Sequence, residues 1–156
     1  MKKRSTPATP VETWFRPQGW TAQPFQQETW SHMLAGKSGL LNAPTGTGKT
    51  YAVWGGIVNA ALASKSTTSG LRAIWITPLR ALANEIADSA QVMCDGVGLT
   101  WKVGSRTGDT STKQRAAQKK ELPQLLVTTP ESLHVMLSQK GSVELFKHLD
   151  WFIADE

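Results

Sequence analysis

Eight consecutive residues, Ala43-Pro44-Thr45-Gly46-Thr47-Gly48-Lys49-Thr50, bring two glycines, a lysine and a hydroxyl together at a spacing suited to phosphate. The pattern Gly, four residues, Gly-Lys-Ser/Thr forms a phosphate-cradling loop where a strand meets a helix. Ala43 stands in place of the first glycine, and the rest fits. Gly46 and Gly48 permit backbone shapes that a side chain would block, so loop N–H groups can turn toward phosphate oxygens. The helix that follows adds its positive end. Lys49 supplies a cation for the β- and γ-phosphates, and Thr50 a hydroxyl for Mg²⁺. Residues Thr45, Gly46, Thr47, Gly48, Lys49 and Thr50 are therefore read as a nucleoside triphosphate site.

A second chemical pair, Asp155-Glu156, directly follows the apolar run Trp151-Phe152-Ile153-Ala154. Alone, an acidic pair at a chain end reads equally well as a solvated terminus. Downstream of a phosphate loop it reads as the other half of the site. Asp155 would hold Mg²⁺ through its water shell, and Glu156 would orient and deprotonate an attacking water.

Such groups need a scaffold that brings them to one edge. Strand-like and helix-like segments alternate along the chain, which predicts an α/β fold with a parallel sheet and helices on both faces. Ser38 to Ala43 reads as a strand leading into the loop, and Lys49 to Ala63 as a helix rich in small residues. A polar loop, Ser64 to Gly70, precedes a buried strand within Leu71 to Thr77. Leu79, Leu82, Ala83, Ile86, Ala90 and Met93 recur at helical spacing. Leu99 to Gly104 alternates as a strand, Ser111 to Glu121 reads as a basic helix, and Gln124 to Thr128 as a strand. Pro130 suits the start of a helix whose stripe is Leu133, Met136 and Leu137. The phosphate loop, Thr77-Pro78, Thr128-Thr129-Pro130 and Asp155-Glu156 all follow strands. Ligands of open parallel sheets bind beyond the carboxyl ends of the strands.

Composition narrows the class. The 156 residues suffice for one domain, and no apolar run reaches the roughly 20 residues of a membrane helix. Residues 1–12 are rich in Pro, Thr and Lys and read as an unfolded tail without a secretory signal. Cys94 is the single cysteine, so an internal disulfide is excluded, which fits a cytoplasmic setting. The net charge of +5 suits an anionic partner. Six basic residues stand against two acidic ones between Lys102 and Glu121, either a solvated helix face or a surface for a polyanion. Core packing is the default for the seven tryptophans, and only Trp20 is placed to favour a nucleotide base.

From about Val11 onward the chain resembles the superfamily 2 DEAD/DEAH-box helicases. The Ala43 to Thr50 loop is similar to their motif I. Pro24-Phe25-Gln26 resembles the Q motif, in which a glutamine reads the adenine edge. The resemblance implies Gln26 for that role and Trp20 as the stacking aromatic, with Gln27 leaving the register open. Thr77-Pro78-Leu79-Arg80-Ala81-Leu82 resembles motif Ia and Thr129-Pro130-Glu131 motif Ib, both of which contact a nucleic-acid backbone. Asp155-Glu156 resembles the opening of motif II. Trp14-Phe15, Arg106-Thr107-Gly108-Asp109-Thr110 and Thr128-Thr129-Pro130-Glu131-Ser132-Leu133 resemble the large-helicase-related group, and within it the bacterial DNA-ligase-associated DEXH-box helicases.

The resemblance implies a RecA-like P-loop NTPase domain over 13–156, with ATP and Mg²⁺ as cofactors. It implies ATP-driven 3′-to-5′ movement on a single nucleic-acid strand, DNA ahead of RNA, and a role in repair beside enzymes such as a ligase or nuclease. Backbone contacts are expected at Pro78, Arg80, Arg106, Gly108, Thr129 and Pro130. The 156 residues hold neither the family's second RecA-like domain nor motif III. A C-terminally truncated domain is therefore expected, lacking a strand from the middle of its sheet. Alone it should be poorly stable and inactive in unwinding. A different P-loop enzyme would explain Lys49 and Thr50 but not Gln26, Arg80 or the Thr128-to-Glu131 segment. A non-enzymatic nucleotide- or DNA-binding module is the other rival.

Overall fold

A computed structural model describes residues 7–64 and 69–156. They fall into two compact units, Met1–Lys65 with Gly96–Leu99, and Ser66–Asp95 with Thr100–Glu156. The first unit is built on helices α1 (Pro10–Phe15), α2 (Pro24–Leu34) and α3 (Lys49–Ser64). The second holds strands β1 (Ala73–Ile76), β2 (Val103–Arg106), β3 (Leu125–Thr128) and β4 (Trp151–Ala154). Most of α4 (Arg80–Val97) and all of α5 (Thr112–Lys120), α6 (Pro130–Ser138) and α7 (Ser142–Phe146) belong with them.

In the first unit, α1 begins inside the stretch read as unfolded. Thr9 Oγ1 accepts from the Glu12 N–H at 3.2 Å, and a Glu12 carboxylate oxygen accepts from the Thr9 N–H at 2.8 Å. This reciprocal cap, with Pro10 in the first turn, offsets the unpaired N–H groups of a short helix. Val11 and Phe15 are buried beneath it. Residues 1–6 of the expected tail lie outside those described. Phe15 sits at the centre of an aromatic cluster, in edge contact with Trp20, Trp30 and Tyr51 at centroid distances of 5.6, 5.8 and 5.9 Å. Helix α2, which hydrophobic spacing does not announce, lays Trp30 and Met33 against Gly55 and Gly56 of α3. Small residues on α3 permit that approach, and the partner they face is a helix rather than the sheet their lettering suggests.

Residues 38–43 do not form the expected strand. Leu40 is 96% exposed. An apolar run becomes a strand only when a neighbour supplies a ladder of hydrogen bonds, and among the described residues no strand pairs with this segment.

The sheet order is β2-β3-β1-β4, and every pairing is parallel. The register aligns Arg106, Thr128, Ile76 and Ala154, so the four strands finish level. Ile74 and Leu126 pack with Leu71 and Met136, joined by Leu133, Leu145, Phe146 and Leu149. On the opposite side of the pleat Trp75, Leu125 and Val127 are equally buried. Strands buried on both faces read as continuous apolar runs, which is why β1 and β3 are visible in the sequence, while β4 carries the same apolar lettering although Phe152 is exposed. The expected strand at 99–104 lies later, at 103–106, because Leu99 and Trp101 bury their side chains ahead of the ladder rather than within it.

Helix α4 shows the expected period, but its buried line is Ala83, Ala87, Ala90, Met93 and Cys94. Leu79 and Leu82 are exposed, as is Leu137 on α6. The inner faces of both helices are thus narrower than the apolar lettering suggests. Residues 65–68 of the expected polar loop lie outside those described.

Candidate functional site

The phosphate loop lies in the first unit. Gly46 and Gly48 stand at φ +78° and +92°, a region L side chains rarely adopt. Open space surrounds Gly46 where a Cβ would project. Thr47 Oγ1 donates to the Pro44 carbonyl at 2.6 Å and tightens the turn. Lys49 and Thr50 open α3 and are half-buried. Two left-handed glycines in an open cradle before a 16-residue helix fit a polyphosphate and its cation.

Gln26 is 4% exposed, and both ends of its amide are engaged. Nε2 donates to the Gly48 carbonyl at 3.1 Å, and Oε1 accepts from the Gln23 N–H at 2.8 Å. The side chain thereby ties α2 to the phosphate loop. Beside it opens a groove of about 490 Å³ lined by Glu12, Arg16, Trp20, Thr21 and Gln27. Trp20 is 42% exposed and meets Tyr51 at 5.3 Å, so one part of its ring is packed and another is free. Gln27 Nε2 donates to Glu12 at 2.6 Å in the same groove. Trp20 and Gln27 thus share a base-sized space, whereas Gln26 is turned to the loop.

In the second unit the expected residues gather at the carboxyl edge of the sheet. Pro78, Arg80, Gly108 and Pro130 are exposed there, and Thr129 is buried as the N-cap of α6, its Oγ1 accepting from the Ser132 N–H at 3.4 Å. Arg80 lies against Gly108, where a Cβ would come within 2.9 Å of the guanidinium carbon. It reaches Asp109 at only 3.5 Å, an exposed and weak pair. Arg106 is 8% exposed. Burial and the nearby Arg115 both lower its pKa from the ordinary arginine value. Arg115 Nη2 donates to the Thr107 carbonyl at 3.1 Å. These residues surround a cavity of about 160 Å³.

Asp155 follows β4, its backbone N–H donating to the Ile76 carbonyl at 2.9 Å. One carboxylate oxygen accepts from Trp75 Nε1 at 3.3 Å. That bond holds the side chain from the buried face of β1. Glu156 is exposed. Trp75 and Arg115 were not singled out by sequence reasoning. Trp75 read as core, and Arg115 as one charge in a basic run. Cys94 is fully buried, and that burial pushes its thiol up to about 12, so it takes no part in chemistry near neutral pH. Among the described residues no cluster of three or more His, Cys, Asp or Glu gathers that could hold a metal ion. None of their helices is long and apolar enough to cross a membrane.

A parallel sheet, a glycine-bent phosphate loop and a cationic sheet edge define a P-loop nucleotide-binding domain. The DEAD/DEAH box helicase pattern matches residues 23–156, and the chain belongs to that family. It is 34% identical over 155 residues to the Lhr helicase/probable uracil glycosylase of Mycolicibacterium smegmatis, covering 92% of this chain and 10% of that protein. The structure of Mycobacterium smegmatis helicase Lhr bound to ssDNA and AMP-PNP superposes with a TM-score of 0.82 at 30% identity, over 96% of this chain and 20% of that one. The DEAD-box helicase Mss116 bound to ssRNA and UDP-BeF gives 0.81 at 24% identity, over 97% and 31%, a likeness of fold alone. The chain thus spans about a tenth of the length of its Lhr relative. The expected RecA-like fold and the likeness to large-helicase-related proteins both hold.

Proposed function

We propose that this chain forms the ATP-binding, strand-contacting part of a motor that moves on single-stranded DNA, of the large-helicase-related kind and nearest to the ligase-associated branch. The observation that carries the reading is the loop at 45–50, where two left-handed glycines precede a helix opening with Lys49 and Thr50. Lys49 binds the β- and γ-phosphates, and the loop N–H groups cradle them. Thr50 and Asp155 would hold Mg²⁺, which when bound neutralises charge on the phosphate oxygens. Glu156 orients the water and takes its proton. Trp20 stacks on the base, with Gln26 or its neighbour Gln27 at the base edge.

The strand runs along the carboxyl edge of the sheet, touching Pro78, Arg80, Arg106, Gly108, Thr129 and Pro130 mainly through phosphates. Such contacts position a strand without reading sequence. DNA is favoured because a relative at 30% identity is a complex with ssDNA. A role in repair, beside a ligase or nuclease in the cytoplasm, is part of this reading and rests on the sequence resemblance to the ligase-associated branch alone.

Titration with a non-hydrolysable ATP analogue tests the loop. Lys49→Ala should bind at least about tenfold more weakly, the effect of losing one charge-assisted hydrogen bond. Equal affinity would overturn the reading. In the complete polypeptide, ATP hydrolysis should rise when single-stranded DNA is added. Arg80→Ala and Arg106→Ala should each weaken binding across all sequences and flatten its salt slope by about 0.7.

A further inference from the structure

The cavity at the sheet edge has an excess of positive charge that the fold itself does not neutralise. Its walls include Arg80, Arg106, Gly108, Arg115, Glu131 and Ser132. Arg106 is 8% exposed, yet among the described residues no carboxylate pairs with it. A buried cation without a counter-ion is costly unless a ligand supplies the charge. Arg80 has one loose partner, Asp109 at 3.5 Å. Glu131, the single acid in the wall, makes no ion pair among the described residues, and the three guanidinium groups outnumber it by two.

Arg115 belongs to none of the recognised motifs, and its geometry is the most constrained of the three. Nη2 donates to the carbonyls of Thr107 and Gly108, at 3.1 and 3.4 Å. The same turn is closed by the Thr110 N–H donating to the Thr107 carbonyl at 3.2 Å and by the Thr107 N–H donating to Thr110 Oγ1 at 2.9 Å. Arg115 therefore braces the turn that carries Gly108 against Arg80. Its Nε is buried and has no hydrogen-bond partner. A buried unpaired donor is costly, and the guanidinium that carries it lines the cavity beside two other arginines, whose combined charge suits an oxyanion.

We propose that Arg115 is a positioning residue of the nucleic-acid interface, completing with Arg80 and Arg106 a pocket that holds one backbone phosphodiester. The cavity of about 160 Å³ admits a phosphate group and some water. At roughly 30 Å³ per water it is too small for a nucleoside. The planar forks suit the two non-bridging oxygens better than lysines would. Arg115 would act in two ways, adding its charge to the cavity wall and fixing the turn that sets Arg80. Free phosphate shares this chemistry, but Arg80 and the Thr129-Pro130 turn beside the cavity continue the path of a strand. The inference rests on the proposed strand-binding function.

The test pairs variants of the full chain with single-stranded oligodeoxythymidines that carry one uncharged methylphosphonate at successive positions. Binding is read by fluorescence anisotropy at fixed salt. For the wild type, one position should lose about tenfold in affinity. Arg115→Gln should lose about the same with the unmodified strand and almost nothing more at that position. Arg115→Lys should restore charge but recover only part of the loss, because an ammonium on a flexible stem lacks the planar fork that braces the turn. Lys119→Gln, on the exposed side of the same helix, should be additive with every position. Additive losses for Arg115→Gln at all positions would overturn the role of Arg115 while leaving strand binding intact. No binding of the unmodified strand by the wild type would overturn the strand-binding reading itself. Competition by millimolar inorganic phosphate without any position-dependent loss would give the pocket to a free anion and reject the proposal. Circular dichroism of each variant shows whether the fold survives, and Arg115→Lys carries the test if Arg115→Gln unfolds.

Discussion

At Gly48 the backbone stands at φ +92°, and a Cβ would lie 2.6 Å from the Gln26 amide nitrogen. Two separate costs therefore meet in Gly48→Ala. The left-handed conformation costs about 1–2 kcal/mol for an L residue. Displacing Gln26 loses a hydrogen bond worth about 1 kcal/mol more. Stability should fall by about 2–3 kcal/mol, and affinity for an ATP analogue at least tenfold. Gly46→Ala, at φ +78° with open space around it, should show the torsional cost alone. Urea unfolding with analogue titration separates the two, and equal effects at both glycines would refute the role given to Gln26. The loop was legible because its glycines, lysine and threonine have no common structural use at that spacing. The tie between Gln26 and Gly48 was not, because a motif names a ligand contact and is silent on a contact across 22 residues. Arg115 was hidden for a related reason: one cation in a basic helix shows its partners only after folding.

Helices α2 and α3 meet through Gly55 and Gly56, and the two glycines differ in what they touch. A Cβ on Gly55 would lie 2.7 Å from Trp30 Nε1. That indole is held by its own bond to the Tyr51 carbonyl at 3.2 Å and cannot swing away cheaply. A Cβ on Gly56 would press on the sulfur of Met33, the far end of a flexible chain. Alanine gains about 1 kcal/mol over glycine inside a helix. Overpacking against a fixed ring costs about 1–3 kcal/mol, and against a yielding thioether less. Gly55→Ala should therefore destabilise by about 1–2 kcal/mol, while Gly56→Ala stays within about 1 kcal/mol of neutral, both read by chemical denaturation. A stabilised Gly55→Ala would show that Trp30 is free to move. Elements were legible where burial is continuous, as in β1 and β3, or strictly periodic, as in α4. Helix α2 escaped because its buried line, Gln26, Trp30 and Met33, includes a polar residue whose burial depends on the Gly48 carbonyl. Residues 38–43 carry the lettering of a strand yet form none, because local apolarity cannot supply a pairing partner.

At the scale of the whole molecule the open side of β4 is the feature with consequences. β4 hydrogen-bonds to β1, and among the described residues nothing pairs with its other edge. Phe152, in the middle of that strand, is 58% exposed, while Trp151 and Ile153 are half-buried. The apolar run of β4 is legible in the sequence, but its lettering does not show which of the strand's two edges finds a partner. A short apolar strand with free N–H and C=O groups is a template for a second chain. Phe152→Lys would place a charge on that edge without opening the core. Its stability should stay within about 0.5 kcal/mol of the wild type, as for surface substitutions away from packed contacts. Sedimentation velocity over a hundredfold range of protein concentration should then show the wild type gaining larger species as concentration rises and the variant remaining at one size. Equal association by both would mean that the β4 edge is covered in solution or that another surface drives assembly. A loss of several kcal/mol in Phe152→Lys would instead place this ring inside a packed interface.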